Sequence, residues 1–117
     1  MLLLIDADQN PDTGWYGYDY IINLRIVDEK TTTLQRYSPV APGGPWIEVA
    51  RLNYRYMGNQ LELAVPRQLL GLKSDAFTFD FHWCDNPPEL KDPISLCLAG
   101  DSAPNRRFNY RYIWKKN

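Results

Sequence analysis

The sequence predicts an all-β fold, an antiparallel β-sandwich of the jelly-roll or immunoglobulin-like type. Apolar side chains recur at every second position in most segments, and long stretches with helical periodicity are absent. These segments are short and alternate with turns rich in Gly, Pro and Asn, which is typical of two-layered β-proteins. The chain has 117 residues, so we expect residues 1–117 to form a single domain with its own core.

The first part of the chain contains three predicted strands. Residues 2–5 are all apolar, as in a central strand that is covered on both faces. Residues 31–37 are rich in β-branched Thr, which favours a strand, whereas the Pro- and Gly-rich residues 38–45 favour a loop. Between them, one face of a further strand is predicted to carry Tyr18, Tyr20, Ile22, Leu24 and Ile26.

The middle of the chain predicts a hairpin and a short helical turn. Alternating apolar residues flank a turn around Gly58 and Asn59, which is a hairpin pattern. The helical turn is expected near residues 66–72, because a proline stands at its start and a glycine near its end.

Three further strands are predicted after this turn. The clearest covers residues 76–86, and the others cover residues 94–101 and 107–114, with a loop at residues 86–93. One face of the first of these strands is a row of aromatic side chains: Phe77, Phe79, Phe81 and Trp83.

Composition argues against several classes of protein. Thirteen Lys and Arg against fourteen Asp and Glu give a formal charge of −1, so we expect no nucleic-acid partner. No apolar run approaches the roughly 20 residues that span a bilayer, and the first residues lack a signal-peptide pattern, so no membrane partner is expected. The two cysteines, Cys84 and Cys97, are compatible with a disulfide or with two buried thiols.

The sequence does not predict an enzyme. His82 is the single histidine, and no nucleophile or paired carboxylate accompanies it in a recognisable catalytic arrangement.

An acidic segment follows the first predicted strand. Asp6, Asp8 and Asn10 stand at alternate positions, with Asp19 further on. Hard cations such as Ca²⁺ take six to eight oxygen ligands. Side-chain oxygens at alternate positions of a turn can supply several of them. We therefore predict a calcium site at these four residues. The alternative interpretation is that Asp and Asn only cap main-chain N–H groups in a turn.

Four segments together carry a resemblance to a known family: LLLIDADQNPDTGWYGYDYIIN, GNQLELAVPRQLLGL, FTFDFHWCDN and AGDSAPNRRFNYRY. In this order they resemble family 9 carbohydrate-binding modules and the related DOMON-like β-sandwiches, which are often appended to bacterial polysaccharide-degrading enzymes. The resemblance implies a non-catalytic β-sandwich with structural calcium and a polysaccharide or oligosaccharide ligand. It also implies a secreted or extracytoplasmic location as part of a longer protein.

The chain departs from this family at its start. In such domains the segment LLLIDAD is an internal strand, whereas here it comes first. We therefore expect the chain to be the C-terminal part of a longer carbohydrate-binding-like domain. An N-terminal strand with an open edge would favour self-association across that edge.

Candidate sugar-binding residues follow from the chemistry of sugars, whose apolar C–H faces stack on aromatic rings while side-chain amides and carboxylates bind the hydroxyls. Trp83 also fits a core position, because it continues a row of aromatic residues. The predicted carbohydrate-binding residues are Trp15, Tyr16, Trp46, Trp83, Asp85 and Asn86.

The leading hypothesis is thus a non-catalytic carbohydrate-binding module with a structural cation. A structural or protein-interaction β-sandwich without a sugar site is the alternative. A haem-binding redox module, with Met57 and His82 as the available ligands, is a distant third hypothesis.

Overall fold

The computed structural model describes residues 1–86, 101–104 and 108–117. The described strands are β1 (Leu2–Asp6), β2 (Tyr20–Ile26), β3 (Thr31–Tyr37), β4 (Trp46–Met57), β5 (Gln60–Leu63), β6 (Ala76–Asp85), β7 (Asp101–Ala103) and β8 (Tyr110–Lys115). A 3₁₀ turn at Arg67–Leu70 confirms the helical turn that the sequence predicts. Most of the predicted strand at residues 94–101, including Cys97, lies outside the described residues.

All described strand pairs are antiparallel, which confirms the predicted all-β class. The strands form one curled sheet in the order β5-β4-β3-β2-β1-β6-β7, and β8 pairs with β6 next to β7. The Met57↔Gln60 pair closes the predicted hairpin around Gly58 and Asn59.

Strand β1 lies in the middle of this sheet. Leu4 pairs with Ile21 of β2 on one side and with His82 of β6 on the other. The prediction of an open edge at the N-terminal strand is therefore wrong, because hydrogen-bonded neighbours occupy both edges of β1. All five residues of the strand are buried, as the apolar pattern predicts for residues 2–5 but not for Asp6.

The sheet buries side chains on both faces. Side chains alternate along β1, so Leu4 lies on one face of the sheet and Leu3 on the other. We call these two faces the Leu4 face and the Leu3 face. The Leu4 face contains Leu2, Leu4, Trp15, Tyr18, Ile21 and Cys84. The Leu3 face contains Leu3, Ile5, Ile22, Leu34, Leu52, Leu70 and Leu72, with the Phe77, Phe79, Phe81 and Trp83 rings packed beside them.

The predicted alternation fails in β2 because the strand contains a bulge. The register with β3 shifts between Ile22 and Ile26, and Asn23 has a positive φ of 73°. Asn23 is held there by a hydrogen bond from Thr32 Oγ1 to its Oδ1 atom at 2.7 Å. After the bulge Leu24 and Ile26 are 37% and 54% exposed instead of facing the core.

The curl brings distant strands together at one end of the sheet. Strand β5 is five positions away from β6 in the strand order, which is about 24 Å in a flat sheet. Nevertheless, Leu61 of β5 and Asp85 of β6 line the same cavity. The cavity is thus a product of the long-range shape of the sheet.

Within the described residues, the helical content is a single 3₁₀ turn of four residues, and no helix has the length and apolar character to cross a membrane.

Candidate functional site

The acidic segment folds into a compact cluster at the end of β1. Asp6 is the last residue of β1, and Asp19 comes just before β2, where its main-chain N–H donates to the carbonyl of Ile5 at 2.8 Å. This pairing places the Asp19 carboxylate beside the start of the loop. Asp6, Asp8 and Asp19 each offer one carboxylate oxygen, and these atoms lie within 4.8 Å of one another.

Hydrogen bonds within the loop hold these carboxylates in position. The Asp19 carboxylate accepts from the N–H of Ala7 at 2.9 Å, and Thr13 Oγ1 donates to Asp8 at 2.7 Å. The amide oxygen of Asn10, a predicted calcium ligand, accepts from the N–H of Asp12 at 3.0 Å. Three of the four predicted ligands therefore come together, while the Asn10 side chain caps the turn as the alternative interpretation expects.

The pKa values of the three carboxyl groups are shifted in different directions. Burial, together with a hydrogen bond shared with Asp8 and the charge of Asp19, raises the pKa of Asp6 from 3.8 to about 6. Burial also raises the pKa of Asp19. Burial acts in the same direction on Asp8, but hydrogen bonds from Thr13 and Asn10 outweigh it, and the pKa of Asp8 is lowered.

The cluster fits a hard cation. Asp6 is 7% exposed, and its Oδ1 atom has no hydrogen-bond partner among the described residues. A buried carboxylate oxygen without a partner is unfavourable, and a bound cation would compensate it. Asp8 and Asp19 also help to line a neighbouring cavity of about 740 Å³.

The predicted sugar-binding residues next to this loop are mostly part of the core. Trp15 is 7% exposed, and its ring lies 6.1 Å from that of Trp46, centroid to centroid. Trp46 is half-buried and packs edge-on against Tyr37 at 5.5 Å. Tyr16 is 62% exposed, so of these predicted residues it alone presents most of its ring to solvent.

The other predicted sugar-binding residues lie at the end of β6. Trp83 is half-buried and packs on the Leu3 face, whereas Trp15 packs on the Leu4 face. The two groups are therefore on opposite faces of the sheet and do not form one site. Asp85 lines the cavity at the curled end of the sheet, and Asn86 is exposed beside it.

This cavity, which we call the tyrosine groove, measures about 690 Å³. The rings of Tyr54 and Tyr56 stack in it with centroids 6.0 Å apart and planes inclined by 20°. Tyr54 is almost buried and donates to the carbonyl of Asp28 at 2.9 Å, while Tyr56 is 59% exposed. The polar residues that line the groove are Asn23, Asp28, Glu29, Asn59, Gln60 and Asp85.

Sequence reasoning places Tyr54 and Tyr56 in a strand but misses their role in the groove. Their i, i+2 spacing puts both rings on one face, and this was the available signal. The polar residues around them come from β2, from the β2–β3 loop, from the β4–β5 hairpin and from β6, so only the curl of the sheet reveals the site.

The two residues considered as haem ligands, Met57 and His82, differ in their exposure and in their position in the sheet. Met57 is 74% exposed at the end of β4. His82 is 2% exposed in β6, and its Nδ1 atom is 2.9 Å from the carbonyl oxygen of Phe108. Three strands separate β4 from β6 in the sheet. Cys84, also in β6, is fully buried.

Comparison with known proteins adds no relative: no family model matches the chain, and neither the curated proteins nor the solved structures contain a significant match.

Proposed function

We propose that this chain is a non-catalytic carbohydrate-binding module whose ligand site is the tyrosine groove. One observation carries the proposal, namely a stacked pair of tyrosine rings in a cavity surrounded by side-chain amides and carboxylates. Its volume of about 690 Å³ lies within the range of small-ligand sites.

Each part of the groove has a role that matches sugar chemistry. The exposed ring of Tyr56 offers a flat apolar surface to the C–H face of a sugar. Tyr54 supports that ring from behind, and its own hydroxyl is already bound to Asp28, so it is held rigidly. Asn59 and Gln60 can donate and accept hydrogen bonds, while Asp85 can accept them from sugar hydroxyls.

In this proposal the acidic cluster has a structural role. A calcium ion at Asp6, Asp8 and Asp19 would tie the end of β1 to the start of β2 and offset most of the charge of three adjacent carboxyl groups. The module would hold a partner enzyme near a polysaccharide in an extracytoplasmic setting. A second layer of β-structure over one sheet face, as in a β-sandwich, belongs to the same proposal.

Replacing Tyr56 with Ala is expected to weaken glycan binding about fivefold, because stacking of one ring contributes on the order of 1 kcal/mol. Affinity electrophoresis of the wild type against a panel of neutral and acidic polysaccharides, with calcium present, identifies the ligand, and calorimetry measures the change. Since Tyr56 is largely exposed, the variant should keep its fold.

Tyr16→Ala is the matched control, since Tyr16 has similar exposure but lies outside the groove. Equal losses in the two variants would exclude the groove as the binding site. A wild-type protein that binds no glycan in the panel would favour the interaction module instead.

A further inference from the structure

Among the described strands, β8 forms an edge of the sheet that carries exposed apolar side chains. Residues 110–115 pair with β6 on one side, and no described strand pairs with the other side. Several of its apolar side chains are exposed, Tyr110 by 47%, Tyr112 by 45% and Ile113 by 71%. Exposed hydrophobic edges of this kind are templates for pairing with a further strand.

The orientation of the main chain shows which residues are available for pairing. The N–H of Lys116 donates to the carbonyl of Asp75 at 2.8 Å, so the main-chain groups of even-numbered residues in β8 face β6. Because this orientation alternates along an antiparallel strand, the N–H and C=O groups of Arg111 and Ile113 point away from the sheet.

Side-chain contacts hold β8 in a rigid shape on both faces. On one face three ring pairs join β8 to β6: Trp114 with Phe77 at 5.2 Å, Tyr112 with Phe79 at 5.3 Å and Tyr110 with Phe81 at 5.5 Å. On the other face Arg111 makes two hydrogen bonds to the Asp80 carboxylate, at 2.8 and 3.0 Å. The edge is therefore preorganised, and little ordering is needed for it to bind a partner.

We propose that β8 pairs antiparallel with β8 of a second copy of this chain, around a two-fold axis at Tyr112. In this register Tyr112 lies opposite Tyr112 of the second copy, and Tyr110 lies opposite Trp114. The aromatic rows of the two copies then continue across the interface on one face. On the other face Arg111 lies opposite the uncharged Ile113, and their outward main-chain groups bond to each other.

The side chains of β8 select this register over its neighbours. A shift of two residues in one direction places Arg111 opposite Arg111, and a shift in the other direction places it opposite Lys115. Both arrangements put like charges directly opposite each other, which is destabilising. A shift of one residue sends the aromatic rows of the two copies to opposite faces. The strand is thus complementary to itself in the proposed register.

Substitutions at Ile113 test the proposal because this residue is 71% exposed and contributes nothing to the core. Ile113→Lys places a cation opposite Arg111 of the second copy, whereas Ile113→Glu places an anion there. In sedimentation velocity over a concentration series, the wild type is expected to dimerise, Ile113→Lys to dissociate up to about fivefold more readily and Ile113→Glu to associate more tightly.

A wild type that stays monomeric up to millimolar concentration would overturn the proposal. So would equal effects of the Lys and Glu substitutions, since only the proposed register predicts opposite signs. Neither substitution removes the Asp80–Arg111 pair, so at concentrations where both variants are monomeric their melting temperatures should match.

Oxidative cross-linking tests the two-fold axis directly. Tyr112 pairs with its own copy at a narrow, non-hydrogen-bonded position, where Cα atoms lie about 4.5 Å apart and a disulfide can form. Tyr112→Cys should therefore give a covalent dimer, whereas Tyr110→Cys, on the same face and equally exposed, should not. The wild type, oxidised in the same way, is the control for cross-linking that does not involve the introduced cysteine. Equal yields from the two variants would refute the register.

Discussion

Replacing Asp6 with Asn is expected to stabilise the calcium-free protein at pH 7 and to abolish its stabilisation by calcium. Asp6 is buried, and the Asp8 and Asp19 carboxylates lie beside it. Ionising it therefore costs free energy unless a cation is bound. We expect the free energy of unfolding of the calcium-free protein to rise on the order of 2 kcal/mol, which corresponds to roughly 5–10 °C in melting temperature.

The effect should depend on pH in a defined direction. The pKa of Asp6 is raised from 3.8 to about 6 in the folded chain, so the folded state binds this proton more tightly than the unfolded state. Stability from this group is therefore present at low pH and is lost as the pH rises from about 4 through about 6. The difference in melting temperature between Asp6→Asn and the wild type should vanish near pH 4 and be complete at pH 7.

Calcium should reverse the order of the two proteins. At a hundred times its dissociation constant, a ligand that binds only the folded state stabilises it by about 2.7 kcal/mol. In thermal unfolding at pH 7 the wild type should gain stability with calcium and lose it with a chelator, whereas Asp6→Asn should respond to neither.

Asp12→Asn is the matched control, because Asp12 is an exposed acid of the same loop outside the cluster. It should leave the response to calcium intact. A lower melting temperature for Asp6→Asn in both the presence and the absence of calcium would contradict our account of the cluster.

The second large effect is expected from Gly14→Ala, which should destabilise the protein by about 3 kcal/mol or more and remove calcium binding. Gly14 has a φ of +70°, and an added Cβ would overlap the carbonyl oxygen of Tyr18 and lie 2.6 Å from its carbon. The obstructing atoms are main chain, so they can move only if the Trp15–Tyr18 bridge opens. The same Cβ would lie 3.0 Å from Oδ1 of Asp19, a member of the acidic cluster.

Gly71→Ala separates steric overlap from backbone strain. Gly71 has nearly the same φ, +74°, but nothing lies within 4 Å of an added Cβ. This control should cost only on the order of 1 kcal/mol, since it carries the left-handed strain alone. Urea unfolding followed by tryptophan fluorescence measures both variants. Equal losses would show that the Gly14 loop yields easily and does not position the cluster.

Several local features were predictable from the sequence. The uninterrupted apolar run identified β1 as a strand covered on both faces, and Gly58 with Asn59 identified the hairpin turn. Pro66 and Gly71 marked the limits of the short helical turn. The crowding of acids identified the cluster, although it also suggested Asn10, whose amide oxygen is used by the turn. All of these signals are local, because they depend on residues close together in the chain.

The bulge in β2 and the identity of the strands that pair with β1 were beyond such signals. A bulge depends on which side chain finds a partner across the sheet, and here Thr32 holds Asn23. Strand order depends on which segments pair, and β1 pairs with a strand more than seventy positions later in the chain. A central strand and an edge strand with one solvent-exposed face show the same period-two alternation. The alternation therefore reveals neither a bulge nor the order of the strands.

By itself, the sequence determined that this protein is an antiparallel β-structure with an acidic turn after a buried first strand, because alternation and turn chemistry act over a few residues. Only the tertiary structure decided that the sheet curls, that Tyr54 and Tyr56 share a groove with Asp85, and that no other described strand pairs with the outer side of β8. Twist and curl accumulate over many strand pairs, and the contacts that they create join residues whose spacing in the chain carries no periodic signal.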